Sequence, residues 1–377
     1  MTGYGEAWTK LRRYTIRTLR EFGFGKSSSM GLVLNEEVDK FVAFFKNQVN
    51  PKGLVYVKDP FDVSTVNVLW RLITGKSHDL DDSKMIELLR LSREYKKSIS
   101  VTDASIAYPF LRTWFPGWMG RYKQIECVNR LTQFLESLVD EHEEDAKNPH
   151  CFVDAFLHEI HKGTDPEFNR EQLVYTLLDL FQGGAETTSK TLTFELLYMI
   201  TYQDVQEKVY RELETHVPPG TSITLDIKHR LPYTQATLLE ILRFSSIVPI
   251  PGPLECPCDI TFRGFKIKMG DPVMINIHGC NMNETTWGDP LSFRPERFLD
   301  DEMNINRNAS FIMSFGGGKR VCPGQILAES SMFMYFATLM RLFKFENDGE
   351  STPTIQPTLG LTYSPTPFFM RVLERNQ

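Results

Sequence analysis

Cys322 closes the run Phe315-Gly316-Gly317-Gly318-Lys319-Arg320-Val321 and precedes Pro323-Gly324. Three glycines permit a tight turn and a close approach of backbone to something flat. Pro323 suits a first helical position, so a helix N-terminus is expected beside the sulfur. Its unpaired amides and positive dipole end favour a thiolate. Arg320, two residues away, can pair with an anion. Such a thiolate is a nucleophile or a metal ligand. The bland alternative is a buried cysteine beside a Gly-rich turn. The segment offers no second ligand, so a metal bound here must bring its own, as a haem does.

Three other constellations accompany this loop. Gly183-Gly184-Ala185-Glu186-Thr187-Thr188 lies within a helical pattern, where each glycine costs about 1 kcal/mol relative to alanine; tight helix packing is the plain explanation. Glu240 and Arg243 share one helical face, and Phe293-Arg-Pro295-Glu-Arg297-Phe298 follows. Alone this pair says little, since Glu87–Arg90 and Glu167–Arg170 have the same spacing and read as solvated pairs. Trp8-Thr-Lys-Leu-Arg12 opens a helix whose basic face carries Lys10, Arg12, Arg13, Arg17 and Arg20.

The elements that must position these residues are mostly helices. Apolar periodicity predicts helices over Glu6–Phe22, Asn35–Asn47, Val63–Ile73, Ser83–Ile99 and Tyr122–Ala146. Gly23 and Gly25 should cap the first. A reciprocal cap at Asn169 and Gln172 should start one continuous helix reaching Tyr202, roughly 45 to 50 Å long. Ile260–Phe262, Phe265–Ile267 and Val273–Ile277 read as short strands, and Thr354–Val372 as a Pro-rich, short-stranded tail. The fold class is mainly α with small β-sheets.

Together the motifs resemble the cytochrome P450 family. Its haem-binding signature has Phe, Gly, Arg, Cys and Gly at fixed offsets, here Phe315, Gly318, Arg320, Cys322 and Gly324. A chance match at five positions is on the order of 10⁻⁴. The four motifs stand in the family's order, and the resemblance covers nearly all of residues 1–377, read as a single catalytic domain. It is closest to microsomal animal enzymes of the family-2 type, as in Trp8 to Lys26 and Asp259-Ile-Thr-Phe-Arg263. It implies a P450 fold and haem b with Cys322 as axial ligand. It also implies that Trp8 and Arg12 bind a haem propionate and that Gly184 leaves room for dioxygen. Glu186 and Thr187 would relay protons, and Glu240, Arg243 and Arg297 would form a buried triad supporting the cysteine loop. Leu180, Gln182, Gly183, Ile247, Val248 and Tyr363 would line the pocket by position, although each could equally be plain core.

The same resemblance implies a function. One oxygen atom of O₂ would enter a small apolar substrate such as a steroid, fatty acid or xenobiotic. Electrons would come from NADPH through a separate cytochrome P450 reductase, with cytochrome b5 as a further candidate donor. An acidic reductase could dock on the basic helix face. The implied location is the cytosolic face of the endoplasmic reticulum membrane. The family's membrane anchor, hinge, first helices and strands are absent from this sequence, roughly a hundred residues by comparison with the family. A second membrane contact is the aromatic run Tyr108 to Met119, including Trp114, Phe115 and Trp118, which suits a bilayer surface or the core equally. Leu254 stands where many relatives carry a propionate-binding His or Arg, leaving that contact to Arg12 and Arg320.

Bulk properties narrow the field. A net charge of −6 gives no general case for a nucleic-acid partner. Six cysteines without framework spacing fit a reducing compartment, and Cys256-Pro-Cys258 lacks the spacer of a zinc knuckle. No run of ~18 apolar residues crosses a membrane. Two other classes remain: an isomerase or dehydratase of oxygenated lipids, against which Glu186 and Thr187 argue, and a catalytically silent short form.

Overall fold

The computed structural model describes residues 5–97, 108, 110–117, 120–350 and 352–375. Helix α1 (Glu6–Glu21) ends in a turn using left-handed Gly23 and Gly25, as expected. Helix α2 (Ser27–Gln48) starts well before the predicted Asn35. Its serines resemble loop residues, yet Met30, Leu34, Val38, Phe41 and Phe45 form a buried stripe that carries the helix through them. Helices α3 (Asp62–Thr74) and α4 (Ser83–Lys97) stand as predicted, apart from Ser98 and Ile99, which lie outside the described residues. A short α5 (Phe110–Trp114) precedes α6 (Arg121–Glu141), which stops before the predicted Ala146 and passes into a 3-10 turn at Asp145–Lys147. Helix α7 (Phe152–Lys162) had no counterpart in the sequence reading.

The helix expected to run unbroken to Tyr202 is two helices. Helix α8 (Arg170–Gly184) stops, Ala185-Glu186 intervene, and α9 (Thr187–Thr201) resumes. Apolar periodicity continues across the break and therefore conceals it. At the start, Asn169 Oδ1 accepts from the Gln172 backbone N–H at 2.9 Å. The cap works through that backbone amide.

Helices α10 (Gln203–His216), α11 (Pro232–Ser245), α12 (Ile277–Asn281), α13 (Glu284–Trp287) and α14 (Gln325–Leu342) complete the described helices apart from short 3-10 turns. Helix α9 is buried on nearly every side and packs on α11, α14 and the strand β6. It is thus the inner pillar against which the cysteine loop's own helix, α14, is fixed.

Strands are few. β1 (Leu54–Val57), β7 (Phe368–Glu374) and β6 (Phe343–Asn347) form an antiparallel sheet in the order β1-β7-β6. Register pairs Val55 with Met370 and Phe345 with Val372. Phe368, Met370 and Val372 alternate inward. β2 (Leu254–Glu255) pairs with β5 (Pro272–Val273), and β3 (Ile260–Phe262) with β4 (Phe265–Ile267). The strand predicted over Val273–Ile277 is shorter than expected, because Ile277 begins α12 under an Asn276 side-chain cap. No described helix is long and apolar enough to cross a membrane.

Candidate active site

The cysteine loop is built by backbone bonds. Gly316 N–H donates to Met313 O (2.8 Å), Val321 N–H to Gly318 O (3.3 Å), and Cys322 N–H to Phe315 O (2.9 Å). Gly316 and Gly318 take φ of 72° and 64°, a region in which a side chain is strained. Helix α14 begins at Gln325 with Gly324 as N-cap, so Pro323 lies before the helix rather than at its first position. The sulfur still faces the Gly324 and Gln325 amides. Burial pushes the Cys322 thiol up; those amides and the Arg12 charge oppose it without overcoming it. The amide effect thus has the expected sign and is outweighed by desolvation. A coordinating metal deprotonates such a thiol outright.

Cys322 opens on a cavity of about 290 Å³ between α1, α3, α8, α9 and the start of α14. Trp8, Arg12, Leu19, Leu69, Gly183 and Phe315 are among its walls. Leu180 joins them, whereas Gln182, Ile247, Val248 and Tyr363 do not. Gln182 is drawn toward α4, where its Oε1 accepts from Ser92 Oγ at 2.7 Å. The Tyr363 N–H donates to Ile247 O at 2.8 Å, tying that pair to each other.

Gly184, for which the resemblance implies room for dioxygen, and Gly183, read as pocket lining, both border the cavity but differ in what surrounds them. A Cβ on Gly183 would meet nothing within 4 Å, while one on Gly184 would lie 2.4 Å from Leu69 Cδ2. Gly183 keeps the cavity wall open; Gly184 permits close packing of α3.

At the opposite wall, Arg320 stacks on the Trp8 ring at 4.0 Å, and Arg12 lies 5.5 Å from the same ring. Arg12 also donates to the Val321 carbonyl. Burial, followed by the like charge of Arg320, pushes the Arg12 pKa down, while Cys322 acts in the other direction. Two cations side by side at an enclosed wall favour an anion between them. Thr15 Oγ1, also on the wall, is buried with no hydrogen-bond partner. A glycine-open wall, a half-buried sulfur, an orphaned hydroxyl and paired guanidiniums fit a flat, anionic, metal-bearing group.

Thr187 and Glu186 diverge at the helix break. Thr187 lines the cavity, and its Oγ1 donates to Gly183 O at 2.9 Å. Glu186 is absent from the lining. Its carboxylate turns to α4, with Oε2 lying 3.1 Å from Lys96 Nζ and both side chains about one-tenth exposed. Sequence reasoning missed Lys96, which carries no motif.

The structure brings Glu240, Arg243 and Arg297 together. Arg243 Nε and Nη2 donate to the two Glu240 oxygens at 2.7 Å each, and Arg297 Nε donates to Glu240 Oε1 at 3.2 Å. Glu240 and Arg243 are fully buried. Arg243 further donates to the Asn281 and Pro290 carbonyls, both at 2.9 Å. Ser314, just before the cysteine loop, donates to Leu242 O on the triad's helix at 3.0 Å.

A second buried cluster was not foreseen. His142 Nδ1 lies 2.7 Å from Asp154 Oδ1 and 3.7 Å from Cys151 Sγ. It closes on itself at the start of α7, and burial pushes the Cys151 thiol up to about 12. All six cysteines are free.

A family model described as Cytochrome P450 matches residues 1–372. Farnesoate epoxidase of Bombyx mori is 30% identical over 368 residues, covering 97% of this chain and 74% of that protein. Cytochrome P450 2J5 of Mus musculus is 31% identical over 377 residues, with shares of 98% and 74%. Cytochrome P450 2D10 of Rattus norvegicus is 32% identical over 388 residues, with shares of 99% and 75%. With this match over nearly its whole length and a half-buried cysteine on an open cavity, the chain belongs to the cytochrome P450 family of haem-thiolate monooxygenases.

Proposed function

We propose that this monooxygenase acts on a small apolar molecule of the steroid, fatty-acid or xenobiotic class. Electrons come from NADPH through a separate reductase at the cytosolic face of the endoplasmic reticulum. The observation that carries the reading is the Cys322 sulfur at the edge of a mostly apolar cavity whose far wall is opened by Gly183.

The haem, when bound, supplies the iron at which dioxygen is activated. Cys322 is its ligand, with Phe315, Gly318 and Gly324 shaping the loop. Trp8, Arg12 and Arg320 hold the anionic edge of the group. Gly184 lets the helix break pack close, and Thr187 places its hydroxyl oxygen on the cavity, with the proton engaged by the Gly183 carbonyl until a bound molecule competes for it. Glu186 is the acid behind it. Glu240, Arg243 and Arg297 fix the loop from below and take no part in the chemistry. Exposed Arg13, Arg17 and Arg20 on α1 offer a basic surface to an acidic electron donor, a reductase or cytochrome b5. The exposed aromatics Tyr108, Phe110, Trp114 and Phe115 support contact with a membrane surface.

The test is the reduced carbon monoxide difference spectrum after haem is added to the expressed chain. A thiolate-type Soret band that disappears in Cys322→Ala is expected. A band that survives the substitution overturns Cys322 as ligand. Absence of the band both here and in a chain extended by the relatives' N-terminal portion overturns the monooxygenase reading.

A further inference from the structure

The connection between α6 and α7 folds three chemically unlike side chains against one another. His142 follows the last residue of α6, Cys151 is the residue before α7, and Asp154 lies in the first turn of α7. All three are buried. Among the described residues they form the one group of His, Cys and acidic side chains whose ligand atoms all lie within 4.8 Å of one another.

The spacing suits a small ion. A sulfur about 2.3 Å and a nitrogen about 2.0 Å from a tetrahedral zinc sit about 3.5 Å apart. Cys151 Sγ and His142 Nδ1 are 3.7 Å apart. His142 Nδ1 and Asp154 Oδ1, at 2.7 Å, need to separate by roughly 0.6 Å to admit the ion. The carboxylate is already oriented from outside, because its Oδ2 accepts from the His150 N–H at 2.9 Å. On the far side of the ring, His142 Nε2 is buried with no hydrogen-bond partner among the described residues. A satisfied core histidine uses both nitrogens. This ring can carry its proton on Nε2 without breaking a bond there, which frees Nδ1 for a metal.

The donor set selects the ion. Sulfur, nitrogen and a carboxylate oxygen suit zinc, whereas calcium and magnesium take oxygen. A thiolate and a carboxylate cancel the charge of a divalent cation, so the loaded site is neutral and tolerates burial. The approach is acidic. Asp140, Glu141, Glu143, Glu144 and Asp145 surround His142 in sequence and are exposed, with Lys76, His161 and Arg170 pairing some of them. A surface of that sign concentrates cations.

We propose that His142, Cys151 and Asp154 bind one zinc ion that clamps the end of α6 to the start of α7. Zinc takes the place of the thiol proton, which leaves to solvent, and the His142 ring proton sits on Nε2. No electron is transferred, and solvent completes the tetrahedron. None of the three residues lines the Cys322 cavity. The clamp reaches α1 through the Tyr14 hydroxyl, which donates to Ala155 O at 2.9 Å. The site stands independently of the monooxygenase reading.

The experiment loads the full chain with zinc alone, strips loosely held metal with a weak chelator and counts what stays. The parent should keep one equivalent that Cys151→Ser lacks. Zinc K-edge absorption of that equivalent should show one sulfur at about 2.3 Å among nitrogen and oxygen neighbours. Cys151→Ser nearly preserves side-chain size and should weaken retention about a hundredfold or more. His142→Gln still offers Asp154 a donor and should lose zinc to the same extent. The melting temperature should rise with zinc in the parent and in neither variant.

A parent that keeps no zinc overturns the site. Equal retention by the parent and Cys151→Ser, or a shell without sulfur, assigns the metal to other residues and overturns it as well. If Cys151→Ser does not fold, His142→Gln decides in the same way. If neither folds, alkylation of Cys151 in the parent decides, followed by peptide mass. Zinc should slow it about tenfold, and an unchanged rate overturns the proposal.

Discussion

Gly183 and Gly184 are adjacent and chemically identical, yet they should respond oppositely to a methyl group. Gly183→Ala adds helix propensity, and its methyl meets nothing within 4 Å beyond its own helix backbone. It should leave unfolding free energy within about 1 kcal/mol of the parent while weakening haem retention, read by haem titration. Gly184→Ala drives a methyl into Leu69 and should cost about 1–3 kcal/mol in denaturant unfolding. Equal effects on both readouts would contradict the division of roles.

Glu195 gives a pH prediction of definite sign. It is 2% exposed, Oε1 has no partner, and burial raises its carboxyl well above the ordinary 4.5. The folded state therefore holds a proton that the unfolded state releases. Stability then falls as pH rises from the unfolded pKa through the folded one. Glu195→Gln cannot ionise, so its melting temperature should exceed the parent's at pH 8, with the advantage shrinking toward pH 4. A constant difference across that range would show that Glu195 does not titrate as its burial requires.

At the scale of elements, the triad and the α8 cap differ because burial differs. Arg297 is 6% exposed and shares Glu240 with Arg243. Arg297→Ala leaves part of a buried charge network uncompensated and should cost about 3–5 kcal/mol. The Asn169 cap is exposed and satisfies one amide, so Asn169→Ala should cost about 1 kcal/mol. Denaturant midpoints that place the two losses equal would deny the triad its buried character.

Local signals were the ones legible in the sequence. The cysteine loop, the α1 start and the β3–β4 hairpin depend on residues a few positions apart. The triad needed its position in the chain, because Glu240–Arg243 looks like Glu87–Arg90 until burial separates them. The break at Ala185-Glu186 was hidden by unbroken periodicity. Lys96 was invisible because its meaning lies in a helix 86 residues away. β1 was missed for the same reason, since its partner β7 lies near the far end of the chain, whereas β6 follows α14 directly at Phe343 with no turn residue to mark its start.

At the scale of the whole molecule, charge and apolarity point in different directions. The chain carries a net charge of −6, so an anionic membrane repels it on average. Trp114 is 74% exposed, and Phe110 and Phe115 about half, all within or beside α5. Attachment through this patch must then be hydrophobic, and it should be strongest on zwitterionic vesicles. Raising salt should leave that binding nearly intact, and on anionic vesicles it should strengthen binding by screening repulsion. Burying part of a Trp and a Phe is worth about 2–3 kcal/mol together. Trp114→Ser with Phe115→Ser should therefore lower partitioning by roughly thirtyfold to a hundredfold or more. Arg13→Glu with Arg17→Glu on α1 should instead leave vesicle binding alone and slow association with an acidic electron donor, most visibly at low salt. Flotation unchanged by the aromatic substitutions would place the membrane contact elsewhere. Flotation abolished by the α1 charge reversals would mean that the basic helix, not the aromatic patch, faces the lipid.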